Sequence, residues 1–107
     1  MLNNNHIQIL YNVVLKHCKV TDEEFKGIRR NHNIVTARAM FCYILRKKKF
    51  TLKFIADLLK QTHPNIIVHC NNIESYLKFS SDYRILYNSI IKDFNKLIEN
   101  EKQSNWR

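Results

Sequence analysis

The chain has 107 residues, a formal charge of +9 and a 45% hydrophobic composition, which suits one small domain with a modest core and no deep internal pocket. One glycine, Gly27, and one proline, Pro64, cannot supply the turns of an all-β or α/β fold, so an all-α domain of about six helices over 1–107 is expected. No apolar run approaches the ~20 residues of a membrane span.

A first helix is expected over about 5–18, with Ile7, Leu10, Val14 and Cys18 on one face. Thr21-Asp22-Glu23-Glu24 is a capping-box pattern that opens a short second helix. That helix should stop near Gly27, whose missing Cβ suits a left-handed cap. Residues 28–33, IRRNHN, read as irregular. A third helix over about 34–48 turns Ala37, Met40, Phe41, Ile44 and Leu45 inward and ends in Lys47-Lys48-Lys49, where cations complement the helix dipole.

Thr51 can cap a fourth helix to about 59, burying Leu52, Ile55, Ala56 and Leu59. A break at Lys60-Gln61-Thr62-His63 follows. Pro64 at the first position then starts a fifth helix to about 78, where a missing N–H costs nothing. Ile66, Ile67, Cys70, Ile73 and Leu77 should face inward. Ser80-Ser81 separates it from a sixth helix over about 81–101, with Leu86, Ile90, Phe94 and Leu97 on its apolar face. The tail QSNWR is expected to fray.

The charge is not spread evenly. From Lys26 to Lys60 there are ten basic residues and one acid, Asp57. Such a block is the footprint of a polyanion partner, with a plain solubilising surface as the alternative. Cys18, Cys42 and Cys70 are odd in number and lack C-x-x-C spacing, so reduced, core-filling thiols are expected. The opening MLNNNHIQIL lacks the basic and apolar regions of a secretory signal, so a cytoplasmic location is expected. His63 and His69 are spaced too far along a helix to share a metal ion, about 10 Å by helix rise. With one glycine the chain has no phosphate-cradling P-loop. No cofactor, metal, nucleotide, membrane or catalytic activity is expected.

Two helices joined by a short break, the second opening Thr62-His63-Pro64-Asn65, suggest a helix-turn-helix over about 51–78. In that motif the first helix crosses the DNA backbone and the start of the second enters the major groove. Asn65, Val68, His69, Asn72 and Tyr76 recur at i, i+3, i+4, i+7 and i+11, away from the apolar stripe. Asparagine can pair bidentately with adenine, and Gln61, Thr62 and His69 can reach base edges or phosphates. The helix start adds a positive dipole end. An ordinary helical hairpin with a polar outer face has the same periodicity.

Three segments in order decide between these. They are Arg29-Arg30-Asn31-His32-Asn33-Ile34-Val35-Thr36-Ala37-Arg38, then Thr51-Leu52-Lys53-Phe54-Ile55-Ala56, then Thr62-His63-Pro64-Asn65-Ile66-Ile67-Val68-His69-Cys70 closing on Ile73-Glu74. Over about residues 7–98 they resemble the C-terminal DNA-binding domain of the bacterial replication initiator DnaA, a Trp-repressor-like helix-turn-helix. That family shows KRRSRxxVxARQxAMYL, SLPEIG and GGRDHTTVxHAxxKIE. The resemblance implies double-stranded DNA as partner. It implies a minor-groove role for Arg30, a phosphate contact for Arg38, and backbone contacts at Leu52 and Lys53. It implies major-groove contacts at Thr62, His63, Pro64 and Asn65, with Val68 on the family's later histidine. Arg29, His32, Lys47, Lys48 and Lys49 complete the expected surface. The family's GGRDHTT gives way here to KQTHPNI, without either glycine, so the target should differ from the standard initiator box. With five or six phosphates neutralised, log affinity should fall with log salt at a slope near −5. The competing expectation is a protein-binding adaptor that uses the sixth helix through Tyr83, Tyr87, Phe94 and Trp106.

Overall fold

A computed structural model describes residues 4–104, and among them it contains six helices and no strand. These are α1 (Asn4–Cys18), α2 (Asp22–Lys26), α3 (His32–Lys47), α4 (Leu52–Leu59), α5 (His63–Phe79) and α6 (Ser81–Ser104). The all-α expectation therefore holds. Trp106, expected near the outer edge of α6, lies outside the described residues.

α2, α4 and α5 start where a threonine side chain can satisfy a free N–H group, whereas α3 starts after Asn31 without a side-chain cap bond. Thr21 and Glu24 form the full capping box on α2: the Thr21 hydroxyl accepts from the Glu24 amide at 3.1 Å, and Glu24 accepts from the Thr21 amide at 3.0 Å. Thr51 Oγ1 accepts from the Phe54 amide on α4, and Thr62 Oγ1 from the Asn65 amide on α5. Thr62 is thus the cap, His63 the first helical residue, and Pro64 the second rather than the first. α3 begins at His32, two residues before the expected start, so His32 and Asn33 are helical and not part of an irregular loop.

Helix ends follow a different rule from the one expected. Gly27 has φ −82°, an extended conformation, not the left-handed one. The left-handed positions are Lys19, Lys49 and Lys60, with φ of 60°, 76° and 57°. Each sits just past a helix, and the next residue's amide reaches back to a carbonyl five residues earlier: Val20 to Leu15, Phe50 to Leu45, Gln61 to Ala56. These are three Schellman turns built with lysine where glycine is usual. A lysine charge at a helix C-terminus complements the macrodipole and offsets part of the steric cost.

α3 is the central element and packs against α1, α2, α4 and α5, while α6 closes the bundle on α1 and α5. Leu10, Val14, Ile34, Met40, Ile44, Leu45, Ile55, Ile66, Ile73, Ile90 and Phe94 are fully buried. Each such side chain contributes about 1.5–3 kcal/mol by leaving water. Seven expected core residues are less enclosed. Ile67 and Leu97 are exposed, and Leu52, Leu59, Cys70, Leu77 and Leu86 are half-buried. In α5 the closed stripe is Ile66–Ile73 alone, which leaves Ile67 beside it in solvent.

Candidate nucleic-acid interface

The α4–α5 turn is tight because Lys60 adopts φ 57°, ψ 47° and the Gln61 amide donates to the Ala56 carbonyl at 2.9 Å. This conformation replaces the missing glycines of the family pattern. It leaves His63, Pro64 and Asn65 exposed at the tip of α5, with Thr62 exposed as its cap. Val68 and Asn72 are exposed farther along the helix. Tyr76 is exposed but stacks on Tyr83 of α6 at 4.7 Å between ring centres.

His69 departs from the expected outer face. It is half-buried, and its pKa is lowered first by burial and then by the charge of Arg38. It stands three residues after Ile66 and four before Ile73, so it borders the apolar stripe.

Arg38 is the main correction. It is buried, and four hydrogen bonds engage its guanidinium. Nε donates to the Phe25 carbonyl at 2.9 Å and Nη1 to the Arg29 carbonyl at 3.0 Å. Nη2 donates to the carbonyls of Glu24 at 3.1 Å and Gly27 at 2.8 Å. A guanidinium has five N–H donors, so little is left for a phosphate. Its work is internal: it caps the C-terminus of α2 and pins the loop that carries Arg30.

Arg30 is exposed on that loop. It lines a cleft of about 650 Å³ together with Lys26, Lys60 and Gln61. Tyr11, Phe25 and Phe41 belong to the cleft's apolar lining. The fold therefore brings the loop before α3 against the α4–α5 turn. Lys26 and Lys60 were not among the expected DNA-facing residues. The signal for Lys60 was its place at a turn that in the family is held by glycine.

The other basic residues do not all gather there. Lys47 Nζ lies 5.4 Å from the centre of the Tyr43 ring of its own helix, and Lys48 Nζ lies 5.9 Å from that of Phe94 in α6. His32 meets Tyr83 edge-on and lines a separate, smaller cleft with His17 and Lys19. Arg29 and Lys53 are exposed, and Lys49 is exposed in its left-handed turn.

α6 carries less exposed aromatic surface than expected. Phe94 is fully buried, and Tyr83 and Tyr87 are half-buried. The exposed apolar side chains near that end are Phe79, 85% accessible, and Ile85.

Residues 7–73 match the family model of the bacterial DnaA protein helix-turn-helix. No curated protein matches the chain significantly. The matched span runs from α1 through most of α5, and so takes in the Arg30 loop and the whole α4–turn–α5 unit. Because the match covers well over half of the chain, this protein belongs to the family of the bacterial DnaA helix-turn-helix, a DNA-binding domain.

Proposed function

We propose that the domain binds double-stranded DNA with the start of α5 in the major groove and Arg30 in the neighbouring minor groove. The observation that carries this reading is the single cleft edge shared by Lys26, Arg30 and Lys60 beside the α4–α5 turn. Lys26 and Arg30, which precede α3, meet Lys60 of the α4–α5 turn there; no carboxylate is among the lining residues, although Lys26 also pairs with Asp22 at 3.2 Å. Phosphates on either side of an inserted helix are what such a group complements. The exposed tip, Thr62 to Asn65, supplies donors and acceptors at the height of base edges. An arginine on a pinned loop suits a narrow minor groove, where the potential is most negative.

Binding of this kind involves no catalytic step. Arg38 acts through the loop and not on DNA. Arg29, Lys49 and Lys53 are exposed and available to phosphates; Lys47 and Lys48 lean elsewhere.

The test is binding of fluorescent duplexes by Arg30→Ala and Asn65→Ala. Each should weaken binding to a selected duplex by about tenfold. If both bind as the parent does at moderate salt, the site assignment fails. The exposed Phe79 and Ile85 favour a second reading, a protein-docking surface at the α5–α6 corner. No duplex binding even at low salt would leave that reading in place of the first.

A further inference from the structure

We infer that α5 reads A·T base pairs in the major groove and lacks the arginine or lysine that would favour guanine there. This rests on the DNA-binding reading above and specifies its ligand.

The exposed line along the leading turns of α5 is Asn65, Val68 and Asn72, at i, i+3 and i+7. An asparagine amide matches adenine, which presents N7 as acceptor and N6 as donor side by side. A valine methyl matches the C5 methyl of thymine, the one apolar group on a major-groove edge. Val68 is 54% accessible, so it is a surface group and not part of the core.

What α5 lacks is equally specific. Guanine is usually read by arginine or lysine against O6 and N7. Residues 61–77 contain no arginine and no lysine. The first basic residue of α5 is Lys78, at its far end. The carboxylate that could accept from cytosine, Glu74, lies nine residues after Asn65, about two and a half helical turns, and so stands on the opposite side of α5 from it. His69, the other polar candidate, is half-buried beside the α5 stripe. His63 at the tip can offer a single bond, not a bidentate pair.

The cations nearby do not alter this. Lys26 ends α2, Arg30 stands on the loop after it and Lys60 on the α4–α5 turn, so all three lie outside α5. They raise affinity for any duplex and leave base choice in the major groove to the α5 side chains.

The experiment compares three short duplexes of equal length and charge, made of A·T, inosine·C and G·C pairs. Inosine·C has a minor groove like A·T, without the guanine amino group, and a major groove like G·C. Fluorescence anisotropy at one salt concentration should give A·T binding about tenfold tighter than inosine·C, and inosine·C close to G·C. Replacing thymine by uracil removes the C5 methyl and should weaken the parent about threefold. It should leave the already weaker Val68→Ala variant unchanged. If inosine·C binds as tightly as A·T, the selectivity comes from the minor groove and the inference is overturned. Equal binding of all three duplexes overturns it while leaving DNA binding intact. Failure to bind any of them at low salt overturns both.

Discussion

Arg38 Nη2 donates to the Gly27 carbonyl at 2.8 Å, and through that bond a buried cation in α3 fixes the end of α2. Three further bonds to the carbonyls of Glu24, Phe25 and Arg29 complete the arrangement. Arg38→Gln should therefore cost about 2–4 kcal/mol of stability, because the buried Phe25 carbonyl and three part-buried carbonyls lose charged donors at once. Urea unfolding measures this. The salt slope of duplex binding, taken where the variant is still folded, should not change. Phosphate binding by Arg38 would instead reduce that slope by about 0.9 in the variant.

Lys60 sits in the left-handed region at φ 57° and lines the same cleft as Arg30. Lys60→Gly should affect folding and binding in opposite directions. Relief of the left-handed strain, about 1–2 kcal/mol, exceeds the extra chain entropy of glycine, about 0.5–1 kcal/mol. The urea midpoint should rise while duplex affinity falls. Lys19→Gly is the control: the same turn chemistry applies, but Lys19 lines the other cleft, so stability should rise with no loss of affinity.

How much of this was legible in the sequence differs by feature, for physical reasons. The threonine caps at 21 and 51 were readable because capping depends on neighbours three residues away, whereas the cap at 62 was obscured by Pro64, which reads as a first helical residue but stands second. The left-handed lysines were not, since propensity favours glycine at such positions and tertiary packing overruled it. Arg38 looked like a DNA-binding residue because sequence gives charge and not depth. Yet it stands four residues after Ile34 and three before Phe41, both buried, and that spacing marked it as inward-facing. The same spacing around Ile66 and Ile73 marked His69. Convergence of Lys26, Arg30 and Lys60 needed the fold, because no local pattern links residues 26 and 60.

His69 makes stability depend on pH. Burial first, and then the Arg38 charge, holds its pKa below the ordinary value. Below about pH 6.5 the unfolded chain takes up a proton at this site before the folded protein does. Folding should therefore weaken as pH falls from about 6.5 through the lower folded value, and not above that range. His69→Gln should flatten the change in urea midpoint between about pH 7 and pH 5. An unchanged pH dependence in that variant would contradict the half-buried placement.

The DNA-binding account is tested most directly by the salt dependence of duplex affinity, measured for the parent and for the combined Lys26→Gln, Arg30→Gln, Lys60→Gln variant. Every phosphate that is no longer neutralised should take about 0.9 off the slope of log affinity against log salt. The parent slope should lie near −5, and the triple variant's near −3, because Lys26 and Lys60 are the phosphate contacts among the three. Identical slopes in the two proteins, or no affinity for duplex DNA in the parent at low salt, would contradict it.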